Sequence, residues 1–341
     1  MNRKHFLSSL LATGAVIPGL NAIAAGMPTA SSDQPIIPPY LKPGDTIGIT
    51  CPAGYCPRPD LDASLRIIES WGFKVRLGST VGLRDFTFGG TDQQRAADFQ
   101  EMLDNPEINA ILCARGGYGC ARLLDKLNYD KFVKRPKWII GFSDITAFHC
   151  QVNNKLNVAS LHSKMTNSFP DDFRTADPVV QDTITSIYNA LTGQKMSYKG
   201  IVQLSNRPGK ATAQVIGGNL AVIQSMNSTQ SEVMTDGKIL FLEEVSEYLY
   251  NIDRMLGTLE RSGKFKNLAG LIVGGFNKIR PDDPGEEFGR TVQNMVLDRV
   301  KDYKYPVCFD FPIGHQRNNY AIKCNMVHTL EVTTNAVTLT E

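Results

Sequence analysis

Trp138-Ile139-Ile140-Gly141-Phe142-Ser143-Asp144-Ile145-Thr146 reads as a buried strand that runs into a helix. Apolar residues lead to a glycine, then an aromatic residue, then a serine. A serine on a sharp strand-to-helix turn is pushed out of the sheet with its hydroxyl exposed. The first N–H groups of the new helix then face whatever that hydroxyl attacks. This is the pattern of a nucleophile elbow, with Ile145 in place of the second glycine of G-x-S-x-G. The same residues also describe an ordinary helix N-cap, so the segment by itself leaves both readings open.

Working outward, strands and helices alternate. Thr46-Ile47-Gly48-Ile49-Thr50 is a β-branched strand ending at Pro52-Ala53-Gly54, followed by a helical pattern over 60–71 and a strand over 74–77. A polar helix spans 92–103, and the apolar run 108–114 stops at Arg115-Gly116-Gly117-Tyr118-Gly119. Alternation of this kind predicts an α/β fold with a doubly wound, mostly parallel sheet, in which strand 137–142 lies beside strand 108–114. Ligands in such sheets collect beyond the carboxyl ends of the strands, which puts Ser143 and the glycine loop on one rim. Residues 38–170 are expected to form this N-terminal domain, and 171–212, with one helix over 178–191, an inter-domain connection. A smaller, β-rich α/β domain is expected over 213–341. It contains a glycine turn at Gly217-Gly218, a strand over 238–242 ending at Glu243-Glu244, a helix over 251–261, a strand over 268–273 and a terminal β stretch over 326–340.

Length and composition are those of an ordinary globular protein: 341 residues, 42% hydrophobic and 21% charged. Arg3 and Lys4 precede an apolar run over 6–23 with Ala22-Ile23-Ala24 behind it, which reads as a cleaved export signal over 1–24 and a periplasmic destination. Residues 25–37, small, polar and proline-bearing, read as a tether. Without residues 1–24 the chain loses Arg3 and Lys4 but no acid, leaving 34 basic residues against 34 acidic. That balance, with no basic run, argues against nucleic acid as a partner, and no cysteine precedes Cys51 to carry a lipid anchor. Seven irregularly spaced cysteines do not form a disulfide framework. No His-x-x-x-His or Cys-x-x-Cys pair is present, so neither a metal nor another cofactor is expected.

A serine needs a base to take its proton and a third group to orient that base. His149 lies six residues past Ser143 on the same helix and points away from the turn. His162 ends a short strand and lines the cleft or merely closes the strand, and His328 sits in the terminal β stretch. His315, in Phe311-Pro312-Ile313-Gly314-His315, follows an apolar segment on a loop, where catalytic groups are common. Among the acids crowding one strand end, Glu243 follows the apolar run directly and Glu244 is its rival. The candidate oxyanion donors are the amide of Asp144 and that of Gly117, because consecutive glycines let backbone approach a substrate.

Seven blocks, in order, resemble the LD-carboxypeptidase family of serine peptidases, which includes muramoyltetrapeptide carboxypeptidases. They are Leu41-Lys42-Pro43-Gly44-Asp45 with 47–54, Ala114-Arg115-Gly116-Gly117-Tyr118-Gly119, 140–145, Gly217-Gly218-Asn219-Leu220, Phe241-Leu242-Glu243-Glu244-Val245, Ile252-Asp253-Arg254-Met255-Leu256, and Pro312-Ile313-Gly314-His315. The resemblance implies a Rossmann-like N-terminal domain and a Ser143-His315-Glu243 triad assembled at the domain junction. It also implies a homodimer in many relatives, and release of the terminal D-alanine from peptidoglycan tetrapeptides as the activity. Two positions depart from the family pattern: Glu244, commonly aspartate, and Gln316, commonly a small residue. Two other functions compete. Relatives hydrolyse toxic acyl-nucleotide conjugates of the microcin C type, and exported two-domain proteins are often non-enzymatic solute-binding proteins.

Overall fold

The computed structural model describes residues 34–341. The expected export signal and most of the expected tether lie outside the described residues. The first sheet contains β1 (Thr46–Thr50), β2 (Lys74–Leu77), β3 (Ala110–Cys113), β4 (Trp138–Gly141) and β5 (Ser160–His162). These five are parallel and ordered β2-β1-β3-β4-β5, so strand order reverses between β1 and β3. The loops after those two strands therefore flank the crevice where doubly wound sheets bind ligands. They also touch, since Gly54 N–H donates to Gly116 O at 3.0 Å.

Helices cover both faces. The first are α1 (Asp62–Ser70), α2 (Asp92–Asp104), α3 (Asp130–Lys134) and α4 (Thr146–Cys150), and α5 (Pro178–Leu191) follows. Thr91 caps α2 in a full capping box with Gln94, and Asp177 caps α5 ahead of Pro178. β3 and β4 are buried along their whole length, as strands covered on both faces must be.

The second sheet contains β6 (Ser197–Gly200), β7 (Gly209–Asn219), β8 (Ile239–Val245), β9 (Gly270–Asn277), β10 (Val307–Cys308), β12 (Val327–Val332) and β13 (Val337–Thr340). Its order is β10-β9-β8-β7-β12-β13-β6. Four strands, β10 to β7, are parallel and carry α6 (Leu220–Ser225), α7 (Leu249–Arg261) and α8 (Val292–Arg299). The remaining three form an antiparallel wing.

Three details depart from expectation. β6 and the first turns of β7 fall inside the stretch read as a connection, because Ser197-Tyr198-Lys199-Gly200 is a half-exposed edge strand with no apolar run to announce it. Gly217 and Gly218 lie within β7 rather than in a turn, and the chain bends only at Asn219, whose side chain caps α6. β11 (Ile322–Cys324) leaves the second half of the chain to pair antiparallel with β5, completing six strands in the first sheet. The apolar core runs on between the sheets, with Phe142, Ile145 and Phe148 in the same buried cluster as Ile216, Leu220 and Leu240. Asn219 N–H also donates to Thr146 Oγ1 at 3.0 Å, tying α4 to the end of β7.

Candidate active site

β4 ends at Gly141, and Ser143 opens a tight 3₁₀ turn that passes directly into α4. Ser143 has φ of 62°, a left-handed conformation that costs a non-glycine residue about 1–3 kcal/mol. Such strain at a strand-to-helix turn is the geometric signature of an elbow, and an ordinary N-cap has no need of it. Phe142 before it is extended, and no side-chain cap bond is made to this turn. Asp144 lies in the first turn, where N–H groups have no partner within the helix. Its carboxylate turns inward and accepts from Cys120 N at 2.8 Å, so one residue joins the serine turn to the glycine loop. Burial pushes the Asp144 carboxyl above the usual carboxylate range.

The glycine loop comes very close to the serine. A Cβ on Gly116 would lie 3.0 Å from Ser143 Cβ and 3.1 Å from its Oγ, so only glycine leaves the hydroxyl room. Gly116 O accepts from Gly54 N, and a planar trans peptide then turns the Gly117 N–H to the opposite side. The loop is braced from below by Arg95 on α2, which is fully buried. Its guanidinium donates to Pro52 O at 2.5 Å, Gly119 O at 3.1 Å and Gly90 O at 3.1 Å, and pairs with Asp92.

Glu243 and His315 come together. His315 Nδ1 and Glu243 Oε2 lie 2.6 Å apart, with the glutamate fully buried and the imidazole partly exposed. A bulge in the β8–β9 pairing falls at Glu243, with the register shifting between Leu242 and Glu244, and bulges of this kind re-aim a side chain. Gly314 (φ 93°) passes so close that a Cβ there would lie 2.4 Å from Glu243 Cβ. The His315 ring packs on Phe142, the residue before Ser143, with ring centres 4.8 Å apart. The imidazole is thus carried to the serine turn from the other sheet. Glu244 is otherwise engaged: it accepts from Asn219 Nδ2, from Ala221 N at the start of α6 and from Val245 N. Its carboxylate faces α6 and does not approach the histidine.

The other histidines have structural surroundings. His149 is buried between Ser160 Oγ (2.8 Å) and Gly141 O (2.9 Å), and burial lowers its pKa to about 4. His162 is buried beside Asn319 Oδ1 at 3.2 Å, and His328 beside Met326 O. Sequence reasoning passed over three residues that hold the histidine loop. Asn319 Oδ1 accepts from Gly314 N at 2.7 Å, Asn277 Nδ2 donates to His315 O at 2.8 Å, and Lys164 Nζ donates to Gln316 O at 2.6 Å. Asparagines in loops commonly bond nearby backbone, but their partners here are distant in sequence or set by a turn with no pattern to read.

The chain matches the family models of the LD-carboxypeptidase N-terminal domain over residues 47–163 and the LD-carboxypeptidase C-terminal domain over residues 212–330. It is 31% identical over 291 residues to a probable murein peptide carboxypeptidase of Bacillus subtilis, covering 84% of this chain and 88% of that one. It is 28% identical over 272 residues to the microcin C7 self-immunity protein of Escherichia coli, covering 71% and 78%. The crystal structure of a muramoyltetrapeptide carboxypeptidase from Oxalobacter formigenes superposes with a TM-score of 0.75 at 26% identity, over 86% of this chain and 98% of that one. With both domain models matched in order on one continuous fold, the chain belongs to the LD-carboxypeptidase family.

Proposed function

We propose that this protein is a serine LD-carboxypeptidase that releases the terminal D-alanine from peptidoglycan tetrapeptides, with Ser143, His315 and Glu243 as its triad. The observation that carries the reading is the 2.6 Å contact of His315 Nδ1 with buried Glu243, on an imidazole packed against the turn that strains Ser143. Glu243 holds the ring with its proton on Nδ1, which leaves Nε2 free to act as base. Ser143 Oγ attacks the carbonyl before the terminal D-residue while its proton passes to His315 Nε2. The Asp144 and Gly117 amides receive the oxyanion. Collapse breaks the C–N bond, and the same proton goes to the departing amine of D-alanine. Water, deprotonated by His315, then hydrolyses the acyl-serine and frees the tripeptide.

The N-terminal Arg3-Lys4 and the apolar run behind them favour action on wall fragments outside the cytoplasm. No metal or cofactor enters the scheme.

The test is D-alanine release from a purified muramoyl tetrapeptide by wild type, Ser143→Ala and His315→Ala. Each substitution is expected to lower kcat by about 10⁴-fold or more with the fold intact by circular dichroism. Inactive wild type on both lysine and diaminopimelate tetrapeptides removes the substrate and favours the acyl-nucleotide alternative. Activity that survives Ser143→Ala removes the triad.

A further inference from the structure

Lys164 follows β5 by two residues and is half-buried beside the candidate site. Its ammonium donates to Gln316 O at 2.6 Å, and Gln316 is the residue after His315. It also lies 5.7 Å from the centre of the Phe142 ring, the ring on which His315 packs. Among the described residues it meets this carbonyl and this aromatic face but no carboxylate partner. The acid whose field it feels is Glu243, whose Oε2 is already taken by His315. Burial lowers the Lys164 pKa to about 8, the mark of an ammonium short of compensating charge.

An ammonium has three donors, and the Gln316 carbonyl occupies one. A half-buried cation with donors to spare gains most from an incoming anion. The side of the site matters as much as the charge. In serine acyl transfer the leaving amine sits next to the catalytic histidine, and in a carboxypeptidase that amine belongs to a residue ending in a free carboxylate. The carboxylate is one carbon away from the amine carbon and must lie on the same side. Lys164 is on that side, joined to the histidine loop through Gln316 O. Arg115, the cation of the glycine loop, is on the oxyanion side, and its Nη1 is turned to Tyr55 O at 3.0 Å.

We propose that Lys164 is a specificity-determining residue that receives the C-terminal carboxylate of the substrate. The assignment rests on the carboxypeptidase reading given above. It makes the enzyme's restriction to the terminal residue a consequence of one ammonium: a peptide that continues past this point, or ends in an amide, brings no charge for it to meet.

The test compares a tetrapeptide ending in D-alanine with the same peptide ending in D-alaninamide, in wild type, Lys164→Met and Lys164→Arg. Binding to the same three proteins carrying Ser143→Ala is measured by calorimetry. Wild type is expected to favour the acid by about 100-fold in kcat/KM, mostly through KM. Lys164→Met should lose most of that preference, the acid falling far more than the amide, which loses only what the histidine loop owes to the Gln316 contact, while Lys164→Arg, which keeps the charge, should retain part of the preference. The calorimetric dissociation constants should show the same pattern without turnover. Equal losses on acid and amide in Lys164→Met, with the preference intact, overturn the assignment and leave Lys164 as a brace for the Gln316 carbonyl. Wild type that neither binds nor cleaves the acid peptide overturns the carboxypeptidase reading itself, and the assignment with it.

Discussion

Ser143 concentrates the conflict between stability and chemistry in one residue. Its φ of 62° suits glycine, yet the proposed triad needs a hydroxyl there, so the fold carries a local cost at this position. Ser143→Gly is therefore expected to raise stability by about 1 kcal/mol, after allowing for the extra freedom glycine has in the unfolded chain. Equilibrium urea denaturation reads the change, and D-alanine release should be abolished in the same protein. A Ser143→Gly protein less stable than wild type would mean that the serine hydroxyl makes a stabilising contact that outweighs the backbone strain. The two neighbouring acids Glu243 and Glu244 also diverge at this scale. Adjacent residues on a strand point to opposite faces, so one carboxylate reaches the histidine and the other the start of α6. No pattern in Glu243-Glu244 alone tells which face is which.

At the scale of elements, the site depends on loops held from behind. Arg95 is the main brace, donating to three carbonyls from three loops, two of which bound the crevice beneath the serine. A buried guanidinium so placed orders those loops, and Asp92 beside it supplies the opposite charge. Arg95→Met keeps most of the volume but leaves the three carbonyls without their donor, while Asp92 keeps Arg122. The expected loss is about 3 kcal/mol of stability, with faster amide hydrogen exchange in the loop that contains Gly116 and Gly117. Exchange unchanged in that loop would show that Asp144 and Gly54 hold it without Arg95. Much of this level was legible in the sequence. The alternation of strands and helices, the β3–β4 neighbours, α5 and the strand-to-helix turn at Ser143 follow from long apolar runs and capping residues. The arginine brace was not, because a helix pattern with a polar face places Arg95 on the solvent side. Burial there is decided by loops that arrive from elsewhere in the chain. β6 and β11 were missed for a related reason: their partners, β13 and β5, lie far away in the sequence, whereas β2, as short as β6 and also at an edge, pairs with nearby β1.

At the scale of the whole molecule, the two sheets share one core, and His149 lies within it as a neutral group. Its two ring nitrogens are bonded to Ser160 on β5 and Gly141 on β4, so it holds those strands together just before the serine turn. In the folded protein its pKa is about 4, against about 6.5 for an exposed histidine. Between these values the unfolded chain binds a proton that the folded chain refuses. Stability from this residue is therefore full above about pH 6.5 and lost as pH falls toward 4, by about 3 kcal/mol in all. His162, 6.3 Å away and also lowered by burial, acts in the same direction. Asp144 and Glu244 act in the opposite direction, since burial raises their carboxyls and favours the folded state at lower pH. The net pH profile of the wild type therefore cannot isolate the histidine, but a difference profile can. His149→Gln retains a hydrogen-bonding side chain without the titration and leaves the carboxyls as they were, while His162 loses a neighbouring charge that lowers it, which acts in the same direction. The variant is expected to be less stable at pH 7 yet to lose less on acidification, with the two stability curves converging by about 3 kcal/mol between pH 6.5 and 4. Parallel curves would mean that His149 takes up its proton in the folded state without cost, and that the strands around Ser143 tolerate a charge between them.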